Sequence, residues 1–65
     1  MKWEKQANGD WLAQGQKGYF FVWKYGNIWK GMYKHKFGDV VAFRFYKNTL
    51  QEIKQFCEEN YYWES

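Results

Sequence analysis

The 65-residue sequence contains no proline, one histidine and one cysteine. The single thiol, Cys57, excludes a disulfide within the chain and favours a reducing compartment, so we expect a cytoplasmic protein. One cysteine and one histidine cannot supply the roughly four ligands of a structural zinc site, and no cofactor is expected. His35 lies in the run Lys34-His35-Lys36, which indicates a solvated basic loop. With so few nucleophiles and bases, the chain is not expected to be an enzyme.

Long apolar runs are also missing. No segment approaches the ~18 consecutive apolar residues that indicate a membrane span. Residues 1–6 lack the apolar stretch of a signal peptide. We therefore expect no membrane association, and the length predicts one domain over residues 1–65.

Aromatic residues are abundant instead, with five Trp, six Tyr and six Phe. A short chain buries a small fraction of its surface, and large rings are one way to gain burial without disulfides or metals. So many rings cannot all be internal. Exposed rings interleaved with lysine are typical of a binding surface, so the composition predicts a small binding module.

The charge is unevenly distributed along the chain. Residues 1–49 carry nine Lys or Arg and three acids, a net charge of +6, whereas residues 50–65 carry one Lys and four Glu, a net charge of −3. A basic body with an acidic C-terminal segment indicates which part of the surface can meet a polyanion.

The pattern before residue 48 predicts antiparallel strands, because short aromatic and β-branched runs alternate with glycine-containing turns. The predicted strands are 3–7, 11–14, 19–25, 28–34 and 40–46, with turns at 8–10, 15–18 and 26–27 and a polar loop at 35–39. A two-residue turn at 26–27 places Trp23 opposite Lys30 and Phe21 opposite Met32. Val22 and Gly31 then lie on the reverse face. A slip of one residue would exchange the two faces.

A C-terminal helix over about residues 50–61 follows from a change to helical periodicity. The run Thr49-Leu50-Gln51-Glu52 matches a capping box, in which the Thr hydroxyl accepts from the Glu52 N–H and the carboxylate reaches back. The apolar arc of this helix consists of Leu50, Ile53, Phe56, Cys57 and Tyr61, and the opposite arc of Gln51, Glu52, Lys54, Gln55, Glu58 and Glu59. Cys57 is therefore expected to be buried and inert.

Together these patterns predict an α+β fold, in which an antiparallel β-meander of three to five strands (about residues 2–46) packs on one C-terminal α-helix. A single helix covers one face of the sheet. The other face must meet water or a partner.

Basic and aromatic residues alternate through the predicted strands, as phosphate attraction combined with base stacking requires. The candidate binding residues are Lys17, Tyr19, Trp23, Lys24, Tyr25, Trp29, Lys30, Tyr33, Lys34, His35, Lys36 and Arg44. In the alternative interpretation many of these rings form the core of a small sheet, with lysines extending from its edges. We predict a non-enzymatic module that binds nucleic acid through a basic, aromatic-rich sheet face.

Three segments carry a resemblance to a known class: Asn8-Gly9-Asp10-Trp11-Leu12-Ala13, the strand at 40–46, and Thr49-Leu50-Gln51-Glu52-Ile53-Lys54. In order and type they resemble the small DNA-binding domains at the N-termini of tyrosine-recombinase integrases and their AP2-type relatives. The resemblance implies a three-stranded sheet that enters the major groove and a helix that supports it. This chain has a single arginine, where those sheets usually present several.

A broader resemblance is to short accessory proteins encoded by phages and mobile elements. Many of those bind and inhibit a host protein, such as a defence nuclease or a transcription component, in the host cytoplasm. An exposed aromatic face with a charged rim suits a protein interface as well, because Trp, Tyr and Arg dominate binding hot spots. A homo-oligomer in which aromatic faces pair is compatible with either hypothesis.

Overall fold

The computed structural model describes residues 2–60, and within that range the chain forms five strands and one helix. The elements are β1 (Glu4–Lys5), β2 (Trp11–Gln14), β3 (Gly18–Tyr25), β4 (Ile28–His35), β5 (Val41–Lys47) and α1 (Leu50–Glu59). All strands join one antiparallel sheet in the order β1-β2-β3-β4-β5. The predicted α+β fold with a β-meander packed on a C-terminal helix is confirmed.

Short turns set the register of the sheet. Gly26 occupies the first central position of the β3–β4 turn with φ +60°, a left-handed conformation that glycine adopts without steric penalty. The resulting register pairs Trp23 with Lys30 and places Gly31 opposite Val22 on the other face. The predicted register and face assignment of this hairpin are confirmed.

Strand ends differ from the predicted ones where backbone hydrogen bonds reach into the loops. β1 has two residues, because the turn already begins at Gln6, whose N–H donates to the Asp10 carbonyl at 2.7 Å. At the other end of the sheet, the His35 N–H donates to the Val40 carbonyl at 2.8 Å. That bond extends β4 through His35, which the sequence had placed in a loop.

The helix starts at the predicted capping box. Thr49 Oγ1 accepts from the Glu52 N–H at 3.1 Å, and the Thr49 hydroxyl donates to Glu52 Oε1 at 2.9 Å. The carboxylate therefore returns to the hydroxyl of the capping residue. At the C-terminal end, the Asn60 N–H bonds the carbonyls of Phe56 and Cys57. The predicted contribution of Tyr61 lies outside the described residues.

The core lies between the helix and one face of the sheet. Its fully buried members are Ala13, Phe20, Val22, Tyr33, Ile53 and Cys57. Aromatic contacts organise this core: within the sheet Tyr33 stacks on Phe43 with ring centroids 5.7 Å apart, and between the layers Phe45 contacts Phe56 of the helix at 4.6 Å. The two largest fully buried side chains, Tyr33 and Phe20, are both aromatic.

Candidate functional site

The face of the sheet opposite the helix is uncovered, and we call it the open face. The alternation of side chains along each strand assigns to it Glu4, Leu12, Gln14, Tyr19, Phe21, Trp23, Tyr25, Ile28, Lys30, Met32, Lys34, Ala42, Arg44 and Tyr46. Most of these side chains are half-buried by their neighbours, while Tyr25 and Tyr46 are 63% and 68% exposed. The open face is therefore an aromatic surface in contact with solvent.

Two cross-strand rows organise the open face. In the first, Trp23, Lys30 and Tyr46 are direct neighbours on β3, β4 and β5. The second row consists of four residues in register on β2 to β5, namely Leu12, Phe21, Met32 and Arg44. An aromatic–cation–aromatic row thus lies beside an apolar row that ends in a guanidinium.

A slot of about 250 Å³ opens between Trp23 and Tyr46, and we call it the Trp23–Tyr46 slot. Its lining comprises Trp23, Lys30, Gly31, Arg44, Phe45 and Tyr46. The Lys30 side chain leans out of the row that it forms with Trp23 and Tyr46, and its ammonium lies 4.3 Å from the centroid of the Tyr25 ring. Within residues 2–60, neither Lys30 nor Arg44 forms an ion pair with a carboxylate.

A wider depression of about 490 Å³ lies at the other end of the open face, bordered by Leu12, Gln14, Tyr19, Phe21, Met32, Lys34 and Lys36. Its polar rim is held by Asp39, which accepts from Lys34 Nζ at 3.1 Å and from the Tyr19 hydroxyl at 3.0 Å. The hydrogen bond from Lys34, followed by the one from Tyr19, lowers the pKa of Asp39. The same bond to Asp39 raises the pKa of Lys34. Both groups therefore stay charged at neutral pH.

The fold brings together six of the candidate binding residues, and one of them, Tyr19, lies on the open face in register with Lys34. Trp23, Tyr25, Lys30, Lys34 and Arg44 share the open face. Lys36 lies beside them at the edge of the wider depression. Lys17 lies in the β2–β3 turn, where its carbonyl accepts from the Lys36 N–H at 3.0 Å.

Four other nominated residues lie on the helix-bearing side of the sheet. Tyr33 is fully buried, so its ring belongs to the core and cannot contact a partner. Trp29 is half-buried against that core, and His35 makes an edge-to-face contact with the Tyr33 ring at 5.7 Å. Lys24 is exposed, but it pairs with Trp29 on the same side. Alternation along a strand separates these residues from their open-face neighbours.

The candidate binding residues from the sequence did not include Phe21 and Met32, the apolar residues at the centre of the open face, or the aromatic residue Tyr46. Phe21 and Met32 look like core residues in the sequence, and their exposure follows only from which face the helix covers. Tyr46 could be predicted from the sequence, because an antiparallel pairing of the next strand with β4 places it opposite Lys30. Hairpin register therefore identifies the residues of the open face better than residue type does.

The helix presents a different chemistry to solvent. Its exposed residues are Gln51, Glu52, Gln55, Glu58 and Glu59. Lys54, which the periodicity placed on this polar arc, is half-buried, and its ammonium lies 3.6 Å from the centroid of the Trp11 ring. The acidic surface and the cations of the open face are consequently on opposite sides of the molecule.

The part of the chain that the structure describes offers few groups for a reactive or metal-binding site. Cys57 is fully buried, and burial, followed by the nearby Glu58 charge, raises the pKa of its thiol to about 12. No group of three or more His, Cys, Asp or Glu side chains within residues 2–60 is arranged to hold a metal ion. The one helix in this range is too short and polar to cross a membrane. Comparisons with protein-family models, curated proteins and solved structures find no match, which leaves the chemistry of the open face as the basis for a function.

Proposed function

We propose that the protein binds nucleic acid through the open face. The observation that carries this proposal is the row Trp23–Lys30–Tyr46, in which a lysine lies in register between two aromatic residues and Arg44 borders the same slot. Cations attract the phosphates, and rings offer stacking surfaces for bases. Neither cation is neutralised by a carboxylate within residues 2–60.

The distribution of charge supports one orientation on a polyanion. The open face and its rim carry four cations, Lys30, Lys34, Lys36 and Arg44, against the two acids Glu4 and Asp39, whereas the exposed side of α1 carries three glutamates. A nucleic acid is attracted by the first surface and repelled by the second, so the protein approaches with its sheet. The resemblance to integrase-type DNA-binding domains implies the same orientation and stays a prediction.

The experiment removes three positive charges from the binding side. Replacing Lys30, Lys34 and Lys36 by Gln should remove most affinity and flatten its salt dependence. Each lost phosphate contact lowers the slope of log K against log salt by about 0.9 on duplex or about 0.7 on single strands. Fluorescence anisotropy with labelled oligonucleotides over a salt series measures both quantities.

A matched control removes equal charge from the other side of the sheet. Lys5, Lys24 and Lys47 pair with helix-side positions of their neighbouring strands, and their replacement by Gln should leave the affinity much less affected. Glu58→Gln with Glu59→Gln should leave binding equal or slightly tighter. Equal losses from the two lysine triples, with thermal unfolding unchanged, would refute an open-face site.

An alternative is an accessory protein of phage type that binds and inhibits a host protein. The observation favouring it is the β4–β5 loop, where Phe37 is 89% exposed and Val40 is 57% exposed. Protruding apolar side chains are common anchors of protein interfaces. Binding anchored there would be lost in Phe37→Ala and would depend weakly on salt, whereas nucleic-acid binding by the open face would persist in that variant.

A further inference from the structure

We infer that the Trp23–Tyr46 slot holds one unpaired nucleobase, so that the open face selects single-stranded nucleic acid over duplex. This inference rests on the proposed nucleic-acid function and adds the form of the ligand. It follows from the width of the slot, the position of the Lys30 ammonium and the apolar row beside the slot.

The width of the slot matches one aromatic ring. Trp23 and Tyr46 lie two strands apart in register, and strand spacing of about 4.8 Å separates their backbones by roughly 9.5 Å. Side chains stand roughly perpendicular to a sheet, so a planar base midway between the two rings would lie about 4.8 Å from each of them. That distance falls within the ~4.5–7 Å over which aromatic rings pair favourably.

The floor of the slot leaves room for such a ring. Gly31 and Phe45 are paired residues of the helix side of the sheet, where the Phe45 ring packs against Phe56, so both line the slot with main chain. Lys30 also lines the slot, and its ammonium rests over the Tyr25 ring. A base that enters therefore meets rings at two sides and main chain at the floor.

Two cations border the slot at places suited to phosphates. Arg44 is exposed at one side, and the Lys30 ammonium lies at the other side over the Tyr25 ring. A base held between the rings keeps its flanking phosphates within the field of both groups. A nucleotide is thus bound by stacking and by charge together.

Duplex nucleic acid fits this arrangement poorly. Its bases are stacked on one another, so it presents groove edges and phosphates to a flat sheet and leaves the rings without stacking partners. The row of Leu12, Phe21 and Met32 would also face a hydrated backbone. A single strand offers base faces to both features.

The test compares labelled single strands of about 12 nucleotides, as oligo-dT and as oligo-U, with a duplex of equal length. The unaltered protein should bind a single strand more tightly than the duplex. Tyr46→Ala should weaken single-strand binding by about tenfold or more and leave duplex binding nearly unchanged. Tyr46→Phe keeps the ring and should restore the affinity. Because Tyr46 is largely exposed, its replacement is compatible with folding, which thermal unfolding verifies.

Phe37→Ala is the matched control, because it removes an exposed ring from a loop that does not border the slot. It should leave single-strand binding unchanged. Duplex binding as tight as single-strand binding, with Tyr46→Ala neutral for both, would overturn the slot while leaving the nucleic-acid function intact. Failure of every oligonucleotide to bind would refute the function and the slot together.

Discussion

The ring of Phe45 lies directly against Gly31 on the neighbouring strand, in the space that a Cβ at that position would occupy. A Cβ there would also approach Val22 Cγ1 to 2.9 Å. The absence of a side chain at Gly31 therefore lets Phe45 pack across β4 toward the helix, where it meets Phe56. This contact joins the sheet to α1 on the side opposite the open face.

Gly31→Ala should destabilise the protein by about 1–3 kcal/mol, the usual effect of overpacking a well-packed site. Urea unfolding followed by circular dichroism measures the change. The double variant Gly31→Ala with Phe45→Leu isolates the contact, because a smaller side chain relieves the clash. If the alanine is equally harmful in the Phe45→Leu background, the contact with Phe45 is not its cause.

Thr49→Ala should lower the free energy of unfolding by about 1 kcal/mol through loss of the N-cap. The Thr49 hydroxyl satisfies the Glu52 N–H and also donates to the Glu52 carboxylate, and alanine removes both bonds. Thr49→Ser keeps the hydroxyl and is the matched control, for which little change is expected. An unchanged stability in Thr49→Ala would show that the cap makes no contribution.

Cys57 should react slowly with a thiol reagent in the native protein and rapidly after unfolding. The thiol is fully buried, and its pKa of about 12 leaves almost no thiolate at neutral pH. Labelling followed by mass spectrometry, with and without denaturant, measures both rates. Rapid labelling of the folded protein would contradict the packing of α1 on the sheet.

The same thiol should make stability depend on alkaline pH. Its pKa rises from 9.0 to about 12 on folding, so its contribution is complete below pH 9.0 and declines as the pH rises toward 12. In that window the unfolded chain releases the proton first, and the free energy of unfolding falls by up to about 1.4 kcal/mol per pH unit. Cys57→Ala should show a shallower decline from pH 9.0 upward. Equal slopes in the two proteins would contradict this origin.

Lys54→Met should destabilise the fold by about 0.5–2 kcal/mol, because it keeps the aliphatic stem and removes the cation over Trp11. Lys54→Arg keeps a cation that stacks on indole and should retain most of the stability. Thermal unfolding of the two variants separates charge from packing. Equal stability of Lys54→Met and the unaltered protein would show that packing of the stem alone matters.

Asp39→Asn should tighten nucleic-acid binding and steepen its salt dependence, because it releases the Lys34 ammonium from its carboxylate partner. Asn is a suitable replacement, since Asp39 has φ +53°, a region that Asn tolerates well. Acid has a related effect: because the pKa of Asp39 is lowered, its bond to Lys34 is complete above the ordinary pKa of an aspartate and is lost only as the pH falls through the lowered pKa. Weaker binding by Asp39→Asn would contradict a role for Lys34 in phosphate attraction.

Much of the architecture was determined by the sequence alone, for local reasons. Gly26 permits a tight turn with positive φ, and that turn sets the pairing of Trp23 with Lys30. Thr49 and Glu52 define the start of the helix through bonds that span three residues. Such features depend on near neighbours in the chain, so the local pattern contains them.

The composition of the site was decided by tertiary structure. Tyr33 and Tyr25 have similar sequence surroundings, yet one is fully buried and the other is 63% exposed. The difference arises because α1 covers one face of the sheet, and strand alternation assigns each ring to the covered or the open side. Lys54 likewise joined the packing because folding brings β2 beneath it. Which rings remain for a partner is thus a property of the packed layers, since burial depends on contacts between residues that are distant in the chain.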